Sequence, residues 1–280
     1  MGEACEVCFR HCRPPEGQLG ACRARRMVNG RVVCDNYGKI TSLALDPIEK
    51  KPLRKFHPGS KILSVGSYGC NLSCPFCQNY RISSAGPGDV PVEEYTPEEL
   101  RDLALSLKDR GNIGVAFTYN EPMVSWEYIR DTAKLVHEAG MMNVLVTNGT
   151  AEVDILDKLL PYIDAMNVDL KGFDHFYYKK TLGGDLKIVI KFIQRAIQDC
   201  HVEITTLVVP SENDNETTIR MISAWIGALN RKYNLDIPLH ISRFFPAYQM
   251  MDKAPTPVST IYALTDIARE KVKTVYTGNC

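Results

Sequence analysis

The chain has 280 residues, 45% of them hydrophobic, which suits one α/β domain with a large core and a small appendage. Its 33 Lys+Arg balance 33 Asp+Glu, so bulk charge gives no reason to expect a nucleic-acid or anionic-membrane partner. No apolar run reaches the ~20 residues that span a bilayer. Met1-Gly2-Glu3-Ala4-Cys5 lacks a signal-peptide pattern, and Glu6 stands where a myristoylation signal needs Ser or Thr, so a cytoplasmic protein is expected.

Residues 1–37 read as a cysteine-rich module. Cys5, Cys8, Cys12 and Cys22 have the spacing of a four-thiolate metal site, with His11 and Cys34 as spare donors. So small a segment has little core, and a metal would supply its folding free energy. Zinc is the first choice, a second iron–sulfur cluster the next, and free cysteines or a redox pair the alternative. Met27 to Val33 reads as a hairpin on Asn29-Gly30. Ten cysteines suit a reducing, anaerobic cell, where disulfides are disfavoured. Cys200 reads as a small buried hydrophobe.

Residues 38–60 read as a connecting segment. Ile40 to Leu45 is a strand. The proline-punctuated run from Asp46 to Gly59 reads as a solvated charged face rather than a binding patch.

From residue 61 apolar β-branched runs alternate with amphipathic stretches. The predicted strands are 61–66, 113–119, 143–148, 165–170, 202–209 and 239–245, with 274–276 as a further candidate. Helices are predicted near 97–111, 124–139, 153–160, 186–200, 215–230 and 259–272. Thr96-Pro97-Glu98-Glu99 is a capping box with proline at the first helical position. Continuous hydrophobic strands alternating with helices mean a parallel sheet covered by helices, here a partial (β/α)6 TIM-like barrel over residues 61–280. Chemistry in such folds sits at the C-terminal strand ends.

Those ends carry the polar motifs. The first strand is followed by Cys70-Asn71-Leu72-Ser73-Cys74-Pro75-Phe76-Cys77, three thiols at C-x3-C-x2-C spacing. Three thiolates can hold a cubane cluster that normally takes four, leaving one iron open. The alternative is a structural zinc with a distant fourth ligand. Other strands end in Tyr119-Asn120-Glu121-Pro122, Thr147-Asn148-Gly149 and Asp169-Leu170-Lys171, and the sixth carries His240 and Arg243. Taken singly these are ordinary turns and caps. Five on one rim point to a site. Tyr119, Arg243, Phe244, Phe245 and Tyr248 are candidates for its mouth.

The cysteine loop after the first strand of a βα-repeat chain resembles the signature of the radical S-adenosylmethionine (SAM) superfamily. Tyr119-Asn120-Glu121-Pro122 is similar to that family's Gly-Gly-Glu-Pro motif without its glycines. The Asp-Leu-Lys and Thr-Asn-Gly motifs resemble those of glycyl-radical-enzyme activases such as pyruvate formate-lyase activating enzyme. With Asp46 to Leu53, Cys77-Gln78-Asn79 and the N-terminal cysteines, nearly the whole chain resembles the AmmeMemoRadiSam-system radical SAM enzymes.

The resemblance implies a 4Fe–4S cluster on Cys70, Cys74 and Cys77 and SAM on its open iron. It places Glu121 at the SAM amine, Phe76 at the adenine, and Thr147 and Asn148 at the ribose or carboxylate. Lys171 would neutralise the carboxylate, Asp169 would orient it or the ribose, and His240 would also reach SAM. Val146 stands where activases carry an acidic residue for a monovalent cation, so that cation site is not carried over. The implied activity is oxidoreductase-like: an electron from ferredoxin or flavodoxin splits SAM to methionine and a 5′-deoxyadenosyl radical, which abstracts hydrogen from an unassigned small-molecule, peptide or protein substrate. The related proteins often continue past Gly278-Asn279-Cys280, so substrate cover is expected to be shorter or partner-supplied. The rival readings are an activase acting on a partner protein and a non-catalytic metal-binding scaffold, which predicts no SAM binding.

Overall fold

A computed structural model describes residues 2–280; Met1, where the leader reading begins, lies outside the described residues. Strands β1 (Arg25–Val28) and β2 (Arg31–Cys34) form an antiparallel hairpin. Asn29 and Gly30 between them both have positive φ, as a tight hairpin turn needs. The predicted strand from Ile40 divides into β3 (Lys39–Ile40) and β4 (Ser42–Pro47), and β4 runs antiparallel to β5 (Lys61–Gly66). After β5 come α1 (Tyr80–Ser83), β6 (Glu93–Glu94, paired with β3), α2 (Pro97–Ser106), β7 (Asn112–Phe117), α3 (Trp126–Glu138), β8 (Met142–Thr147) and α4 (Val153–Asp157). Then follow β9 (Ala165–Asp169), α5 (His175–Tyr177), α6 (Leu186–Ala196), β10 (His201–Val208), α7 (Glu216–Tyr233), β11 (Leu239–Arg243), α8 (Val258–Arg269) and β12 (Val275–Gly278).

Among the described residues the main sheet has eight strands in the order β12-β11-β10-β9-β8-β7-β5-β4. All neighbours are parallel except β4 and β5, and the end strands do not pair, so this α/β fold is a partial barrel. At Gly114 β7 leaves no room for a side chain: an added Cβ would lie 1.8 Å from the Met142 carbonyl oxygen. Any side chain there would push β7 off β8.

The helices form for local reasons. Thr96 accepts from the Glu99 N–H while the Glu99 side chain accepts from the Thr96 N–H, and α2 follows. Asn215 caps α7 through the Thr218 N–H, and Asn234 ends it at φ 52°. On α3, Ile129, Ala133 and Val136 are buried on one stripe against the sheet.

Residues 46–57 close the bottom of the barrel rather than forming a solvated face. Ile48 and Leu53 are fully buried against Ile62, Ala116, Val144 and Ala165 of the sheet. Burial of such side chains is worth about 1.5–3 kcal/mol each. Lys51 is only 3% exposed, with its ammonium 2.9 Å from Asp46 Oδ2. The charges that do face solvent are those of Lys50, Arg54 and Lys55.

Candidate active site

Side chains alternate across a strand, so parity decides which residues enter the barrel. Thr118, Val146, Asp169, Thr205, Leu207 and Ser242 all line one cavity of about 270 Å³ at the C-terminal end of the sheet. The cysteine loop covers it: Cys70, Cys74, Phe76 and Cys77 line it too, as do Tyr119, Glu121, Thr147, Asn148 and Lys171. One rim therefore gathers every residue expected at the SAM and cluster site except His240.

The loop's shape is set by backbone contacts. The Ser73 N–H donates to Leu182 O at 2.9 Å, and the Cys77 N–H to Cys74 O at 3.2 Å. Burial pushes the Cys70 thiol well up and that of Cys74 to about 11, while the Lys171 ammonium pulls Cys74 down. The three thiols also line a second hollow of about 560 Å³ on the outer side, where Tyr80 stacks on Tyr248 at 4.7 Å. Phe76 is buried in the main core with part of its surface on the cavity.

Glu121 is the electrostatic centre of the cavity wall. It is 2% exposed. Its Oε1 accepts from the Thr147 hydroxyl at 2.6 Å and the Met123 N–H at 3.1 Å, and its Oε2 from the Asn148 N–H at 2.8 Å. Burial raises its carboxyl to about 7, against the lowering effect of those donors. A cation in the cavity would favour the ionised form.

Lys171 and Asp169 face each other at 2.7 Å. Burial alone would lower the Lys171 ammonium, but Asp169 outweighs it and holds the value above that of a free lysine. Asn148 reaches Cys70 Sγ at 3.7 Å and Asn71 Oδ1 at 2.9 Å.

His240 pairs in register with Thr205 but does not line the cavity, because its ring is held by Glu203 instead. It shares strand parity with Ser242 but sits two residues nearer the strand start, where its Nε2 is 2.5 Å from Glu203 Oε2. Glu203 also holds His201 at 3.0 Å and accepts the Lys55 and Arg54 N–H groups at 2.7 and 3.1 Å. This polar floor joins the barrel to the 46–57 segment. Of the mouth candidates, Tyr119 lines the cavity and Tyr248 the outer hollow. Phe244 is fully buried, Phe245 is exposed, and Arg243 donates to Thr256 O at 2.7 Å.

Three residues had no role in the sequence reading. Asn71, 2% exposed, donates to Thr150 Oγ1 at 2.8 Å and ties the cysteine loop to the loop after β8. Asn120 accepts from the Ser67 N–H at 3.0 Å and donates to Tyr68 O and Gly69 O, fixing the chain before Cys70. Thr205 has a buried hydroxyl with no partner on the cavity wall. Asn71 and Asn120 stand inside the quoted motifs, and strand parity with Asp169 flags Thr205.

The N-terminal module docks beside this site. Cys5, Cys8 and Cys22 are buried and Cys12 is half-buried. Burial pushes the Cys8 thiol up and that of Cys22 to about 11, and cysteine neighbours add to the rise: Cys5 and Cys12 for Cys8, Cys8 and Cys5 for Cys22. The Glu152 N–H donates to Val7 O at 3.0 Å, and Cys8 bridges to Ala151. Cys200 is half-buried and packs against the main core.

Comparison with known proteins agrees with this geometry. An uncharacterized protein of Methanocaldococcus jannaschii is 41% identical over 278 residues, 98% of this chain and 80% of that protein. The pyruvate formate-lyase-activating enzyme of Clostridium pasteurianum is 28% identical over 178 residues, 61% of this chain and 72% of that enzyme. Among solved structures, Streptococcus suis SuiB bound to S-adenosylmethionine shares the fold at a TM-score of 0.60 and 14% identity, over 78% of this chain and 52% of that one. Residues 64–222 match the Radical SAM superfamily and span the sheet from β5 into α7, which takes in the cysteine loop and the ends of β7, β8, β9 and β10. The chain is therefore an oxidoreductase-type enzyme and belongs to the radical SAM superfamily.

Proposed function

We propose that Cys70, Cys74 and Cys77 hold a 4Fe–4S cluster and that the 270 Å³ cavity takes SAM. The observation that carries this reading is the meeting of three thiols, a buried carboxylate and a Lys–Asp pair on one cavity wall. The donor set fits. Cys70, Cys74 and Cys77 all line the cavity. Three thiolates are one short of the four a cubane normally takes, which leaves one iron open toward the cavity. When bound, the cluster supplies the electron that cleaves the SAM sulfonium, and a hydrogen atom of the substrate is then abstracted.

The chain's own groups bind and orient. Ionised Glu121 takes the ammonium of the ligand, and its bonds to Thr147 and Asn148 keep the carboxylate from rotating. Lys171 takes the ligand carboxylate, with Asp169 fixing the ammonium's position. The free Thr205 hydroxyl can accept or donate one bond to a ribose. Phe76 and Leu207 supply apolar wall and keep water from the reacting atoms. The electron donor is a ferredoxin or flavodoxin, and the substrate a small molecule, peptide or protein.

The test is spectroscopic. The dithionite-reduced, reconstituted protein is expected to give an electron paramagnetic resonance signal that shifts on adding SAM. A signal indifferent to SAM contradicts the assignment. The activating-enzyme relatives favour a second reading, in which the hydrogen donor is a glycine of a partner protein. That reading requires a stable radical signal on the partner after turnover.

A further inference from the structure

Asn148 lines the cavity, yet its side chain is taken up by the protein. Its Nδ2 donates to Asn71 Oδ1 at 2.9 Å, Asn71 Nδ2 donates to Thr150 Oγ1 at 2.8 Å, and the Thr150 hydroxyl donates to Asn148 Oδ1 at 2.5 Å. These three bonds close a ring. Asn148 Oδ1 also accepts the Thr150 N–H at 3.0 Å. Asn71, Asn148 and Thr150 are all buried. Turning either amide over would set donor against donor and acceptor against acceptor, so the ring fixes which way each one points.

One amide hydrogen of Asn148 is left, and the group it meets is Cys70 Sγ at 3.7 Å. The Leu72 N–H reaches the same sulfur at 3.4 Å. On the other flank of the triad, Ser83 Oγ lies 3.2 Å from Cys77 Sγ. A thiolate that ligates iron has no proton to give, so in that state the hydroxyl donates to the sulfur. Cys74 has the Lys171 ammonium as its positive neighbour. The two side-chain donors come from separate parts of the fold, Ser83 from the end of α1 and Asn148 from the loop after β8.

We propose that Asn148 and Ser83 are positioning residues that set the reduction potential of the cluster by donating to its Cys70 and Cys77 sulfurs, with Asn71 and Thr150 holding the Asn148 amide in place. The proposal rests on the occupant assigned to the triad above. Reduction adds one negative charge that the ligand sulfurs share. A donor aimed at such a sulfur stabilises the reduced form more than the oxidised one and so raises the potential. The Asn148 side chain then has no hydrogen left for a ribose or a carboxylate. It acts through Cys70, while its backbone N–H serves Glu121.

The test is a redox titration of the full chain, reconstituted anaerobically with iron and sulfide and followed by electron paramagnetic resonance without SAM. Asn148→Leu keeps the size of the side chain and removes the donor. It is expected to shift the reduction equilibrium about tenfold toward the oxidised cluster, a midpoint lower by about 59 mV. Ser83→Ala should lower the midpoint in the same sense, and the double variant more than either. A midpoint equal to the parent's in Asn148→Leu overturns the role of Asn148, and in Ser83→Ala that of Ser83. An unmoved midpoint with lost SAM affinity in Asn148→Leu places the amide on SAM instead. If Asn148→Leu holds no cluster, the parent grown with asparagine carrying 15N in its side chain decides. Its reduced cluster should show a hyperfine coupling to that nitrogen, and none overturns the bond. A parent that assembles no reducible cluster overturns the assignment of the triad itself, a failure distinct from an unmoved midpoint.

Discussion

The Glu121 carboxylate accepts the Thr147 hydroxyl at 2.6 Å, so one buried contact holds together the rims that follow β7 and β8. Thr147→Val keeps the shape and removes the donor. A buried carboxylate that loses a partner costs about 1–3 kcal/mol. Urea unfolding should show that loss with an unchanged m-value. An unchanged midpoint means the contact is idle.

With SAM in the cavity as proposed, Glu121 should make its binding depend on pH. Its carboxyl sits at about 7 because it is buried, against an ordinary value of 4.5. Between these values the folded chain holds a proton that the unfolded chain has lost, so stability falls as pH rises through that window. A ligand ammonium prefers the carboxylate, so SAM affinity should rise with pH up to about 7 and level off above it, with a slope of at most about tenfold per unit. Equilibrium dialysis at pH 6 and pH 8 measures this. Glu121→Gln should flatten the profile and weaken binding by about 1.5–3 kcal/mol, the worth of a charged hydrogen bond. The same slope in the variant assigns the titration to another group.

His240 should be separable from SAM. Glu203 holds it at 2.5 Å and is itself fully buried. Burial would raise the Glu203 carboxyl, but His201, His240 and two backbone N–H groups outweigh it and hold the value at about 2. The stabilisation is present above about pH 4.5 and is lost as pH falls toward 2. Glu203→Gln should cost about 3–5 kcal/mol, as when one partner of a buried pair is removed. His240→Asn should lower stability and leave SAM affinity at the parent value. Weakened SAM binding in a folded His240→Asn protein places the imidazole in the site after all.

Tyr119 links the rim to the segment beneath. Its hydroxyl donates to Asp46 at 2.7 Å, and Lys51 lies 4.6 Å over its ring. Tyr119→Phe should therefore cost about 0.5–1.5 kcal/mol, read from thermal unfolding. No change in midpoint shows that Lys51 alone satisfies Asp46.

The barrel strands were legible because β-branched runs such as Ile62 to Val65 have nowhere to go but a covered sheet. The strand-end motifs were legible because topology puts all such ends on one rim. Other features depend on partners far away in sequence. Asn71 and Asn120 look like loop residues until Thr150 and Ser67 appear beside them. Lys51 reads as surface charge because the Tyr119 ring that covers it, far along the chain, is not announced by its neighbours. His240 shares the inward face with Ser242 and is level with Thr205, and only its contact with Glu203, distant in sequence, keeps it off the cavity wall. The short α5 and the π-turn over Tyr178–Leu182 carry no helical period of apolar residues, so their pattern predicts nothing.

The most direct measurement is product analysis. The protein is reconstituted with iron and sulfide, reduced with dithionite, given SAM, and assayed by chromatography for 5′-deoxyadenosine and methionine. Both should form with the parent and vanish with Cys74→Ala. No product from parent protein carrying a full cluster, or undiminished product from Cys74→Ala, contradicts the assignment of the Cys70, Cys74 and Cys77 site.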